Sequence, residues 1–348
     1  MLEHSAYLNA GTDGPLPARA AQAAQAELGR ELADGRSVAH FERRSELTTA
    51  LRSAYAHLLG CTMEDLALTT CTTEGMAQVI AGLALAPGDE ILTSDEEHPG
   101  LLAALAAARE LRGVIVRIAP LAELADAVGA RTRLVACSHV SWISGSYAPA
   151  ALSDLNVPVL LDGAQGVGAV PVDVKALGCD AYAGAGQKWL CGPDGTGMLY
   201  VSSALRERLA VTHRGFPNLL EPNAGLDAGL HPDARRFDAP SLNAETVALA
   251  LASQELLAAA GWDAVHARAT ELAAVLADLL AERGRAPIPR DHTTLVSFPS
   301  EDPVAERARL AEVGVVVRNI PDRPWLRASV GAWNDEGDLD RLLAALST

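Results

Sequence analysis

The sequence predicts an α/β protein with a mostly parallel sheet and a smaller strand-and-helix unit near its C-terminal end. Three observations carry this. Strand-like runs at 66–69, 90–93, 114–118 and 134–138 alternate with helical stretches, the spacing of βαβ units. Residues 157–161 form an uninterrupted apolar run closed by Asp162, as in a parallel strand buried on both faces. The tail reads strand, helix, strand over 294–298, 303–313 and 315–318.

Taken in order, residues 7–11 are strand-like and run into the turn 12–15, after which Pro15 or Pro17 opens a helix at its first turn. The alanine-rich segment up to Gly35 and the segment 41–59 both have helical spacing and are expected to pack as a pair. Strand 66–69 leads through Thr70-Cys71-Thr72-Thr73-Glu74-Gly75 into a helical run, 76–85. Hydroxyls ahead of a helix suit an anion, because free amides and the positive dipole end face the loop. Alone, the loop reads better as an ordinary threonine N-cap. Strand 90–93 is followed by Ser94-Asp95-Glu96-Glu97-His98-Pro99 and a helix from Gly100.

Asp162 is expected at the carboxyl end of its strand, where open α/β sheets bind ligands. After a polar-capped helix and the run 180–183 comes Lys188, with Gly184 and Gly186 before it and Gly192, Gly195 and Gly197 after it. Residues 211–234 lack periodicity and form a long loop, of the kind that is usually functional. A long helical region then extends to about Glu282, and residues 325–330 follow Pro321 and Pro324 ahead of a final helix from Asp335.

The 348 residues suit two units, divided as 1–14, 15–238 and 239–348, the first being an N-terminal segment. A hydrophobic content of 49% with 21% charged residues belongs to a well-buried globular enzyme. The net charge of -16 and the absence of a basic cluster argue against nucleic-acid binding. Five cysteines without CxxC spacing suggest neither a disulfide framework nor a zinc site, and no metal is expected. No apolar run reaches membrane-spanning length and no basic-then-apolar leader opens the chain, so a cytoplasmic protein is expected.

An aspartate at a strand end, a glutamine three residues on (Gln165) and a lysine in a glycine-lined turn suit a cofactor with a ring nitrogen and an aldehyde, pyridoxal phosphate. Asp162-Gly163-Ala164-Gln165, Gln187-Lys188-Trp189-Leu190 and Gly192-Pro193-Asp194-Gly195-Thr196-Gly197 resemble, in order and spacing, the cofactor core of fold-type I pyridoxal-phosphate enzymes of the class V aminotransferase family. That family includes cysteine desulfurases, selenocysteine lyases, isopenicillin N epimerases and the carbon-sulfur lyase of ergothioneine synthesis. The resemblance implies a three-layer, seven-stranded sheet, a smaller α+β C-terminal domain and a homodimer acting on an α-amino acid.

It also implies roles. Lys188 would hold the cofactor as a Schiff base and serve as the base at the substrate's α-carbon. Asp162 would keep the ring nitrogen protonated; at an effective dielectric near 20 a contact pair contributes about 4 kcal/mol, roughly three pKa units. Gln165 would bond the phenolic oxygen, Thr72 and Thr73 the phosphate, and His98 would stack on the ring. Ser241 would reach the phosphate of the partner subunit, although the local sequence alone favours a helix N-cap serine. Arg327 matches the arginine that grips the substrate α-carboxylate. Asn9 would help wall the substrate pocket; Trp142, standing where desulfurases typically have asparagine, reads either as pocket wall or as core.

Ala185 and Gln187 stand where relatives have a phosphate-binding serine and a histidine, and Gln187 is the replacement donor. The interval 317–325 is short and has no cysteine, so persulfide-forming desulfurase activity is not expected. A β-eliminating carbon-sulfur lyase is the leading expectation, with transamination or epimerisation second and a non-catalytic member of the fold third.

Overall fold

The computed structural model describes Leu2 and residues 4–347. The chain begins with strand β1 (Ala6–Tyr7), helix α1 (Ala18–Asp34) entered through Pro17, and α2 (Val38–Leu58). It continues β2 (Leu66–Thr69), α3 (Thr72–Gly82), β3 (Glu90–Ser94), α4 (Pro99–Arg112), β4 (Ile115–Ala119), β5 (Thr132–Ser138), β6 (Val159–Asp162), β7 (Ala181–Ala185), β8 (Gly197–Val201) and α5 (Ser203–Arg208). Helices α6 (Ala244–Ala260) and α7 (Trp262–Glu282) lead to β9 (Leu295–Pro299), α8 (Pro303–Glu312), β10 (Val315–Val316), β11 (Arg318–Asn319), β12 (Trp325–Ser329) and α9 (Glu336–Leu346).

Seven strands form the main sheet in the order β2-β8-β7-β6-β5-β3-β4. Only β8 runs antiparallel to its neighbours. Alternate residues of the same strands enter two separate cores. Val135, Cys137, Val159 and Leu161 pack on the side of α2 and α6, while Leu134, Ala136 and Leu160 pack on the side of α3 and α4. Burial on both faces explains why these strands read as unbroken apolar runs.

The C-terminal elements build a second core. A three-stranded antiparallel sheet, β11-β12-β9, packs through Phe298 and Leu326 against Leu276 of α7, Leu310 of α8 and Leu342 of α9. β1 pairs in parallel with β10, so Ala6 and Leu8 belong to this core as well.

The structure departs from the sequence reading at several points. The expected helix between Asp162 and Lys188 is a series of turns, because glycines at 163, 166 and 168 and Pro171 interrupt it. The long helical region to Glu282 breaks at Gly261 into two helices. Helix α6 packs on α1 and α2 and places Val247 and Ala250 in the main core, although the reading put it beyond the boundary at 239. The strand expected at 315–318 splits, β10 pairing with β1 and β11 with β12. The 211–234 segment holds short 3-10 turns and no long element.

Candidate active site

A cavity of about 250 Å³ opens at the carboxyl ends of β6 and β7. Asp162, Lys188, His98, Thr72 and Thr73 share its wall with Gln187, Ala185 and Arg318. β6 carries Asp162 to its floor, where burial raises the carboxyl's pKa and the Lys188 ammonium pulls it back. One carboxylate oxygen accepts the Ala164 N–H at 2.9 Å. Lys188 sits in the turn after β7. Burial brings its ammonium down to about 8 against the opposing pull of Asp162, with Arg327 and Arg318 adding to the depression. The N-terminal segment closes this turn: Gly14 donates its N–H to Gln187 O at 2.7 Å, so close that a Cβ on Gly14 would collide with the Lys188 carbonyl.

The N-cap of α3 is Cys71, not a threonine. Its Sγ accepts the Glu74 N–H at 3.4 Å, while the Glu74 carboxylate folds back onto the N–H and hydroxyl of Thr70, each at 2.6 Å. With those two residues satisfying each other, Thr72 and Thr73 occupy the first helical turn beside the cavity, and the buried Thr72 hydroxyl has no partner. An anionic group fits there. The buried Gln187 Oε1 is likewise unpartnered.

His98 caps α4, its Nδ1 accepting the Gly100 N–H at 3.0 Å, which places the ring proton on Nε2. Burial, then Lys188, Arg318 and Arg327, lowers its pKa to about 4, so the imidazole is neutral at physiological pH. Its neighbour Glu97 is buried and accepts the Ser138 N–H at 3.0 Å and the Ser138 hydroxyl at 2.7 Å. The loop ahead of α4 is thereby tied to β5 next to Asp162.

Arg327 on β12 is completely buried (0% exposed) and donates one Nη1 hydrogen bond, to Trp142 O at 2.7 Å. Its Nε and Nη2 have no acceptor. Burial, then the Arg318 charge, lowers this guanidinium to about 9. Arg318, on the opposing strand, donates to Thr12 Oγ1 at 3.3 Å and lies 5.3 Å above the Trp142 ring. Trp142 meets His98 edge-on at 5.1 Å and is buried, with its indole N–H unpartnered.

Five expected site residues, Gln165, Asn9, Ser241, Trp142 and Arg327, do not line this cavity. Gln165 does not line the cavity: its amide donates to Gly11 O at 2.8 Å and accepts the Trp189 indole N–H at 3.0 Å. Asn9 is engaged by the Thr12 hydroxyl at 2.9 Å. Ser241 is exposed in a separate groove beside Phe41, Phe216 and Leu242. The sequence reading missed Arg318, Asp13 and Glu96. Arg318 and Asp13 line the cavity, and the Glu96 carboxylate binds both the Ser141 and Ser144 hydroxyls, the latter at 2.5 Å, clamping the turn that holds Trp142.

A lysine of lowered pKa above a buried aspartate, a hydroxyl-lined helix N-terminus and a buried, half-unpaired arginine fit pyridoxal phosphate with an amino acid, and define a fold-type I enzyme dependent on it. The Aminotransferase class-V family profile matches residues 6–342, and the chain belongs to that family. It is 33% identical to a probable cysteine desulfurase of Pseudomonas aeruginosa over 344 residues, 88% of this chain and 83% of that one. It is 31% identical to the isopenicillin N epimerase of Streptomyces clavuligerus over 377 residues, covering 97% and 93%. Among solved structures it is similar to the cystine C-S lyase C-DES in complex with its reaction product cysteine persulfide, with 29% identity, a TM-score of 0.94 and coverage of 99% and 98%.

Proposed function

We propose that the protein is a carbon-sulfur lyase that eliminates a sulfur-linked β-substituent from an α-amino acid. The observation that carries the amino-acid assignment is Arg327, a buried guanidinium with two donor atoms lacking acceptors; a carboxylate takes both in a bidentate bond. Bound pyridoxal phosphate supplies an electron sink for charge left at the substrate's α-carbon. Lys188 would hold the cofactor and, as a free amine, carry the α-proton. Asp162 would hold positive charge at the ring nitrogen, and Thr72 and Thr73 the phosphate. Neutral His98 would stack on the ring, and Gln187 would take the place of the histidine of other family members.

The lyase reading is supported by the likeness to the cystine C-S lyase and by the β11–β12 hairpin, whose short connection has no cysteine to act as a desulfurase nucleophile. The test is incubation of the holoenzyme with cystine and with cysteine thioethers. Pyruvate and ammonia are expected without a keto-acid acceptor, and none from any of these substrates overturns the reading. The 31% identity to an epimerase favours α-proton exchange as the second reading, which deuterium uptake at the α-carbon without pyruvate would reveal. The groove of about 610 Å³ holding Phe41, Phe216 and Ser241 supports a homodimer in which Ser241 meets the partner's phosphate. Light scattering at twice the chain mass is the expected result.

A further inference from the structure

The turn that carries Asp162 rests on a buried pair of side chains that the chemistry above does not use. Tyr182 on β7 is completely buried, and its hydroxyl lies 3.1 Å from Nδ1 of His139, itself buried just beyond β5. Their rings meet edge-on, with centroids 5.6 Å apart. Burial drives the phenol well above its usual range and the imidazole down to about 4, so both are neutral at working pH. The two neutral groups share one hydrogen bond, whose direction follows the imidazole tautomer. The pair lies on the sheet face opposite the cavity: Leu161 is the register partner of Tyr182, whereas Asp162 is that of Ala183.

Both side chains press against the backbone of residues 163–166. A Cβ on Gly163 would overlap the Tyr182 ring, and one on Gly166 would collide with the Tyr182 hydroxyl and His139 Nδ1 together. The same turn holds the Asp162 carboxylate through the Ala164 N–H, and the His139 N–H is bonded to the Asp162 carbonyl at 2.9 Å. One hydroxyl–imidazole bond thus touches the turn at both of its glycines, and the residue that completes it is anchored to Asp162 itself.

We infer that Tyr182 and His139 are positioning residues of the cofactor site, their hydrogen bond fixing from below the turn that aims Asp162 at the cofactor's ring nitrogen. The inference rests on the cofactor reading above. That reading is tested in the parent protein, which must take up pyridoxal phosphate and show its visible band; a parent that binds none overturns both.

The inference itself is read in variants. Tyr182→Phe keeps the ring against Gly163 and removes only the hydroxyl. Expected are a cofactor affinity about tenfold weaker and a pH midpoint of the visible band raised by about half a unit or more, since a ring nitrogen with a loosened counter-charge withdraws fewer electrons. His139→Leu repeats the shift, and His139→Asn, whose amide can accept from or donate to the tyrosine hydroxyl, restores the parent midpoint. Affinity and midpoint both at parent values in folded Tyr182→Phe overturn the inference, as does a lowered melting temperature with the midpoint unmoved. Should Tyr182→Phe not fold, the histidine pair decides, and equal midpoints in the Asn and Leu variants overturn it.

Discussion

Arg318 and Arg327 are register partners across the antiparallel β11–β12 pair, so two cations stand side by side on adjacent strands, Arg318 at the cavity wall and Arg327 buried behind it. Like charges directly opposite destabilise a strand pair. Burial is the larger cost, the Arg318 charge adds to it, and together they lower Arg327 from the usual guanidinium range to about 9. The folded-state pKa lies below the unfolded one, so the cationic penalty is in full force below about pH 9 and fades as pH rises from there toward the ordinary guanidinium range. Arg327→Met should raise the melting temperature of the ligand-free protein at pH 7, by an amount reflecting about 1–3 kcal/mol, while abolishing turnover. Calorimetry and a pyruvate assay on the same preparation check both. Arg327→Lys should keep the charge but lose roughly 10²-fold in kcat/KM, because an ammonium lacks the bidentate fork.

Lys188 gives the site a pH signature. Only the neutral amine attacks an aldehyde, and its folded pKa is lowered to about 8. The rate at which cofactor-free protein takes up pyridoxal phosphate should rise about tenfold per pH unit up to roughly pH 8 and level off above it. Stopped-flow absorbance measures this directly. A plateau extending down to pH 6 would sink the assignment of Lys188 as the attacking amine.

Asp162→Asn preserves shape and removes charge. The cofactor should still bind, and kcat should fall by roughly 10²- to 10³-fold, the scale expected from losing a contact ion pair worth about 4 kcal/mol in part to residual dipoles. An equal loss in KM with kcat unchanged would place the aspartate in substrate binding instead.

Removal of Glu96, which does not line the cavity, should change the pocket from behind. Its carboxylate binds the Ser141 and Ser144 hydroxyls and so holds Trp142, which accepts the Arg327 bond on its carbonyl. Glu96→Ala should loosen that turn, costing about 1–3 kcal/mol of stability and raising KM more than it lowers kcat.

The sheet was legible because its strands are buried on both faces and read as apolar runs, as at Val159–Asp162. Asp162, Lys188 and the threonine loop were legible because glycines and hydroxyls must stand where a backbone meets a ligand. Arg318 was not. It ends what reads as one strand, and only the split into β10 and β11 turns it toward Arg327. Cys71 as cap was hidden because sulfur is a weak acceptor that sequence rules pass over in favour of the adjacent threonines. Gln165 was placed on the cofactor from its spacing, and its bonds to Gly11 and Trp189 depend on the N-terminal segment folding across the chain.

That segment has a mechanical consequence. Between residues 6 and 14 the backbone is bonded to β10, bridged to Ser329 beside Arg327, and hooked onto the Gln187 carbonyl beside Lys188. Any shift of the β10–β12 strands would therefore be delivered by this strap to the loop that bears the amine.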